Sequence, residues 1–111
     1  MKDVDASFAR STHVARMVED IVGCKWSLAV LGAVRGGVHR PGALESAIEG
    51  VSKKVLNERL SKLVRFGILE KQAYPEIPPR VEYRLSSFGN KFCGVLDSIE
   101  ALFAGLPNEA I

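Results

Sequence analysis

Apolar positions recur at helical spacing along most of the chain and switch to strict alternation only once. Val14, Met17, Val18, Ile21 and Val22 fall at i, i+3, i+4, i+7 and i+8. That is one stripe of an amphipathic helix, which Ser11 or Thr12 can cap and Gly23 ends. Over about Lys25–Val34 the residues Trp26, Leu28, Ala29, Val30, Leu31, Ala33 and Val34 leave almost no polar face, which predicts a helix at the centre of the domain. Gly36-Gly37 stops it, and Val38-His39 predicts a short strand. Pro41 suits the first position of a third helix, where its missing N–H costs nothing, with Leu44, Ala47 and Ile48 as the buried stripe. Only Glu49-Gly50-Val51 then precedes Ser52, an N-cap residue for a fourth helix running to Phe66. In that helix Val55, Leu56, Leu60 and Leu63 face inward, and Lys54, Asn57, Glu58, Ser61 and Arg65 fall on the opposite side at 100° per residue. Two short helices joined by a tight glycine-containing turn form a helix-turn-helix.

After Gly67 the period changes to two. Ile68–Tyr74 predicts one strand and Val81–Leu85 another, with Val81, Tyr83 and Leu85 on one face. Pro75, Pro78 and Pro79 lock φ between them and predict a stiff hairpin tip that ends in Arg80. Ser86 or Ser87 caps a last helix whose apolar stripe runs through Phe88, Phe92, Val95, Leu96, Ile99, Leu102, Phe103 and Leu106. A domain of this size cannot easily cover so long a stripe with its own core. A twofold partner is the natural cover, so Phe92, Val95, Leu96, Ile99, Leu102 and Phe103 are the expected dimerisation residues. The predicted fold class is α+β, mainly α: a winged helix-turn-helix with a two-stranded wing and N- and C-terminal dimerisation helices. It occupies 1–111 as one domain, with 1–10 as a flexible tail that Phe8 can dock and 88–106 as the dimerisation helix.

Composition is that of an ordinary globular protein, and a formal net charge of +2 over 111 residues implies no partner by itself. Its distribution does more. Residues 35–84 carry net +4 and the remainder net −2, the pattern of a localised phosphate-facing surface. Within 52–65, five basic residues (Lys53, Lys54, Arg59, Lys62, Arg65) face a single acid, Glu58. A capped basic helix suits a DNA major groove; it equally suits a solvated surface helix, and this stretch alone leaves both open. No apolar run is long enough to span a bilayer and no signal-peptide pattern opens the chain, so a cytoplasmic protein with no membrane partner is expected. Cys24 and Cys93 give neither a disulfide framework nor a zinc spacing, and both read as small buried apolar residues. No nucleophile–base pairing or phosphate-binding glycine loop is present. The chain is therefore expected to be no enzyme, with no catalytic, metal or cofactor residues.

Three ordered motifs make the chain resemble the HxlR-type bacterial regulators, relatives of the MarR-like winged-helix proteins. Gly23-Cys24-Lys25-Trp26 stands where that family usually has Gly-Gly-Lys-Trp. Gly50-Val51-Ser52-Lys53-Lys54-Val55-Leu56 is similar to its Gly-Ile-Ser-x-Lys-x-Leu segment. Tyr74-Pro-Glu-Ile-Pro-Pro-Arg-Val-Glu-Tyr83, with Leu85 and Gly89, resembles its wing signature. The resemblance covers about His13 to Phe103 and implies a homodimeric winged helix on operator DNA that represses or activates nearby genes. Two positions depart from the pattern. The cysteine that some members use as a redox sensor is His13 here, followed by Val14 rather than proline, so thiol sensing by that route is excluded. The aromatic and Glu of the family's Arg-Phe-x-Glu-Leu segment are Pro41 and Ala43, after Arg40.

The expected groove contacts are Lys54, Asn57 and Ser61, because Asn reads adenine and Lys reads guanine or a phosphate. Ser52 and Lys53 lie near phosphate at the helix N-terminus. Arg80, Lys71 and Arg40 complete the expected DNA-binding set, Arg80 on the backbone or in the minor groove. Arg59 is expected to make a structural ion pair, Tyr74, Tyr83 and Trp26 to pack, and an unidentified small-molecule effector has room between the first, second and last helices. The expected partners are thus a double-stranded operator and a second copy. The alternatives are a winged-helix module for protein–protein contact and a small-molecule-binding protein without DNA affinity.

Overall fold

The computed structural model describes residues 14–106. The expected tail over 1–10, Phe8, the Ser11 or Thr12 cap and His13 lie outside the described residues. Helix α1 covers 14–22. It is followed by α2 (Lys25–Arg35), α3 (Pro41–Ala47), α4 (Lys53–Arg65), β1 (Leu69–Tyr74), β2 (Arg80–Leu85) and α5 (Ser87–Ala104). The sheet is a two-stranded antiparallel hairpin in which Leu69 pairs with Leu85, Lys71 with Tyr83 and Tyr74 with Arg80. This is the expected order of helices, helix-turn-helix, wing and terminal helix.

The expected strand at Val38-His39 does not form. One hydrogen bond, from Tyr83 N–H to the His39 carbonyl at 2.8 Å, ties that segment to β2, and Pro41 ends the extended stretch before a second can follow. The stripe on α2 is also narrower than its composition suggested. Ser27, Val30, Leu31 and Val34 are buried while Leu28 is exposed. Ser27 is tolerated inside because its hydroxyl donates to the Asp20 carbonyl at 3.4 Å.

The core collects Ile21 of α1, Val30, Leu31 and Val34 of α2, Leu44 of α3, Leu56, Leu60 and Leu63 of α4, and Ile68, Leu69 and Tyr83 of the hairpin. Leu60 is fully buried. Leucines in such positions cost about 2–5 kcal/mol when cut to alanine, so α4 is held by its apolar stripe rather than by helix propensity. Helix α5 begins against the end of the hairpin, its buried Gly89 beside the Ile68 carbonyl and Leu85, with Cys93 buried and Phe92 and Leu96 partly buried against the core. No helix among the described residues is long and apolar enough to cross a membrane.

Candidate nucleic-acid interface

The turn between α3 and α4 is built from backbone bonds. Ile48 N–H donates to the Leu44 carbonyl at 3.0 Å and Val51 N–H to the Ile48 carbonyl at 3.4 Å. Gly50 between them has φ +85°, a left-handed conformation that side chains disfavour. Ser52 then caps α4, its hydroxyl accepting from Val55 N–H at 3.1 Å, which satisfies one of the free donors of the first turn. With Leu56, Leu60 and Leu63 buried, the opposite face is fixed. Ser52, Lys53, Lys54, Asn57, Glu58, Ser61 and Arg65 are all exposed. A shallow cleft of about 440 Å³ runs along this side, lined by Asn57, Ser61 and Arg65 among others.

Not every cation on α4 is free. Lys62 lies 3.5 Å from the Asp20 carboxylate and ties α4 to α1. Arg59, expected in an ion pair, makes none among the described residues; its Nη1 lies 3.9 Å from Cys24 Sγ instead. The cause is geometric: Arg59 sits on the flank of the buried stripe, opposite Cys24 at the start of α2. Cys24 itself is only half-buried. Burial pushes its thiol up, but the polar hydrogens of Ser27 and Trp26 in the first turn of α2, with the Arg59 charge, outweigh that and hold it below its ordinary value. Burial pushes the Cys93 thiol the other way, upward.

The wing divides its charges between two faces. Lys71 pairs with Tyr83 and Arg80 with Tyr74, and side chains alternate across a strand. Lys71 and Arg80 therefore project from opposite sides of the hairpin. Lys71 is exposed. Arg80 is engaged: its guanidinium carbon sits 3.9 Å above the Tyr74 ring, Nε lies 2.8 Å from Glu76 Oε2 and Nη1 lies 3.7 Å from Glu82 Oε2. The Nε contact is an ion pair without a hydrogen bond, because the N–H is not aimed at an acceptor. Arg40, exposed at the start of α3, faces the proline tip across a cleft of about 310 Å³.

The sequence reading missed Glu82, Arg84 and Glu76. Arg84 Nη2 donates to Glu82 Oε1 at 2.9 Å, and Arg84 with the Arg80 and Arg40 charges holds the Glu82 carboxyl below its ordinary value despite burial. A signal was present. The alternation that turns Val81, Tyr83 and Leu85 inward necessarily puts Arg80, Glu82 and Arg84 together on the other face.

The expected dimerisation residues separate as well. Val95, Ile99, Leu102 and Phe103 are exposed, as are Phe88 and Leu106, but Phe92 and Leu96 pack on the chain's own core. Val14, Val18 and Val22 add exposed apolar surface on α1. An open groove of about 620 Å³ lies between α2 and the end of α3, lined by Trp26, Ala29, Ala33 and Ile48. Trp26 packs on the core at the edge of this groove, with Lys25 Nζ 4.7 Å from its ring centroid.

Comparison with known proteins places this geometry. The HxlR-like helix-turn-helix family model matches residues 21–108. An uncharacterized HTH-type transcriptional regulator of Synechocystis is 42% identical over 85 residues, 77% of this chain and 63% of that protein. The uncharacterized HTH-type transcriptional regulator YtfH of Escherichia coli is 40% identical over 77 residues, 69% of this chain and 61% of its own length. The chain thus spans less than two thirds of these relatives. Among solved structures, a MarR-family transcriptional regulator from Enterococcus faecalis superposes with TM-score 0.76 at 30% identity, over 85% of this chain and 84% of that one.

Proposed function

Because the chain belongs to the HxlR-like helix-turn-helix family, we propose that it is a sequence-specific DNA-binding transcriptional regulator, bound as a homodimer to operator DNA of matching twofold symmetry. The family and its relatives are transcriptional regulators rather than enzymes. The observation that carries the reading is α4 itself. Its apolar face is pinned by three buried leucines, and its outer face offers Lys54, Asn57 and Ser61 in successive turns. In helix-turn-helix docking the second helix enters the major groove while the first crosses the backbone. Lys54, Asn57 and Ser61 then read base edges, and the capped N-terminus at Ser52 and Lys53 receives a phosphate.

The dimer is supported by the apolar surface that α5 and α1 leave uncovered. Val95, Ile99, Leu102 and Phe103 face solvent together, and a patch of that kind marks an interface. A twofold pair presents two α4 helices to half-sites about one helical turn apart.

The test is fluorescence anisotropy on a labelled duplex carrying the DNA upstream of the chain's own coding sequence. Affinity is expected to fall steeply with salt, because each neutralised phosphate releases counterions. No retention at low salt would overturn the reading.

A further inference from the structure

The wing holds a carboxylate where a DNA-binding surface should least want one. Glu82 is 8% exposed and lies beneath two arginines of its own strand, Arg84 and Arg80, with the Arg40 charge also reaching it. We infer that Glu82 is a positioning residue that holds Arg84, and that Arg84 with Arg40, which the His39–Tyr83 hydrogen bond brings beside β2, forms a clamp for one DNA backbone phosphate at the seam between the start of α3 and the wing. The inference rests on the DNA-binding reading above and extends it to residues that reading does not use.

Four observations converge on this. First, Arg80 is committed inside the wing: it stacks on Tyr74, pairs with Glu76 and reaches Glu82. Its charge is largely spent there, so it braces the site rather than meeting DNA. Second, Arg84 donates to Glu82 through one nitrogen at 2.9 Å while its side chain stays 53% exposed. A guanidinium has five donors in a rigid fork, so the remaining N–H groups are free for a phosphate oxygen, and the geometry suits bidentate recognition. Third, Arg40 is exposed at the N-cap of α3, the helix that crosses the DNA backbone in this class of docking. Fourth, the central carboxylate is covered. Glu70 stands opposite Arg84 across the hairpin and, with Glu76 and Glu82, balances the three arginines, but the acid at the centre is covered by Arg80 and Arg84, so its strand presents the Arg84 guanidinium to solvent.

The role follows from entropy. A free arginine surrenders its rotamers when it grips a phosphate, whereas one already held by Glu82 has surrendered them on folding, and such preorganisation raises affinity. Glu82 thus strengthens anion binding although its own charge opposes it. That makes the sign of one experiment decisive.

The test uses the full-length chain in fluorescence anisotropy over a salt series, on the upstream duplex and on an unrelated duplex of the same length. Arg84→Gln and Arg40→Gln change exposed side chains and are each expected to lower the slope of log affinity against log salt by about 0.9, one phosphate's worth. Each weakens both duplexes by the same factor. Glu82→Gln adds one unit of positive charge and is nevertheless expected to weaken both duplexes roughly three- to tenfold at moderate salt, with Glu82→Asp recovering part of the loss. Circular dichroism melts accompany each variant; if Glu82→Gln does not fold, the two arginine variants decide. Tighter binding by folded Glu82→Gln with a steeper slope overturns the clamp, since the carboxylate would then act only as a repelling charge. Unchanged slopes in Arg84→Gln and Arg40→Gln overturn it as well. A wild-type chain without salt-dependent binding to either duplex overturns the DNA reading and the clamp together, whereas a wild type that binds while the arginine variants match it overturns the clamp alone.

Discussion

The guanidinium of Arg35 grips both carboxylate oxygens of Asp97, 62 residues further along the chain. It is the ion pair that joins α2 to α5, the core helix to the helix with the uncovered apolar face. Each side chain is about half exposed, so its net worth is small and screened by salt.

A pH dependence follows from it. The Arg35 hydrogen bonds hold the Asp97 carboxyl below its ordinary value of 3.8 despite some desolvation, and the Arg35 guanidinium is held above its own. A carboxyl whose folded value is depressed contributes stability that is fully present above the unfolded value and is lost as pH falls through the folded one. Asp97→Asn is therefore expected to melt slightly below wild type at pH 7. The gap should close as pH falls below 3.8 and shrink in high salt at neutral pH, both read by circular dichroism melts.

Gly89 and Gly32 should respond in opposite directions to the same change. A Cβ at Gly89 would lie 2.1 Å from the Ile68 carbonyl oxygen, a backbone atom that cannot step aside. Gly89→Ala is expected to cost about 3 kcal/mol, at the upper end for overpacking, lowering the melting temperature by roughly 10–20 °C. At exposed Gly32, mid-helix in α2, a Cβ meets nothing within 4 Å. Gly32→Ala should stabilise by about 0.5–1 kcal/mol, and thermal melts of the pair settle both.

On the outer face of α4, Lys54→Ala and Asn57→Ala should each lower the preference for operator over unrelated DNA, by about 1–3 kcal/mol where the contact is bidentate. Because both side chains are exposed, melting temperatures should not move by more than about 0.5 kcal/mol worth. Competition anisotropy with the two duplexes checks it, and an unchanged preference in both variants removes α4 as the reading helix.

Association is tested on α5. Leu102 is 74% exposed and Val95 58% exposed, so Leu102→Glu or Val95→Glu should leave the monomer folded and shift the chain from dimer to monomer in multi-angle light scattering. Phe92→Glu should instead unfold it, since Phe92 packs on the chain's own core. A wild-type chain that is already monomeric at micromolar concentration contradicts the dimer.

Much of this molecule was legible before any coordinates. Local signals determined the elements: Ser52 and Ser86 at N-caps, Pro41 opening α3, Gly50 in the helix-turn-helix turn, and the change of period at Gly67. These depend on a few neighbouring residues and on a helix's or strand's own repeat, which sequence carries directly. The outward placement of Lys54, Asn57 and Ser61 followed from the same arithmetic.

What only the tertiary structure decided is which side chain meets which. Periodicity gives a direction about an element's own axis and says nothing of what lies there. So Lys62 found Asp20, Arg59 found Cys24 and, among the described residues, no acid, and Arg80, expected to meet DNA, is engaged by Tyr74, Glu76 and Glu82. Likewise one continuous stripe on α5 was divided between the chain's own core, which took Phe92 and Leu96, and solvent, which kept Val95, Ile99 and Leu102. Contacts between residues distant in sequence depend on how elements pack, and packing is a property of the assembled core.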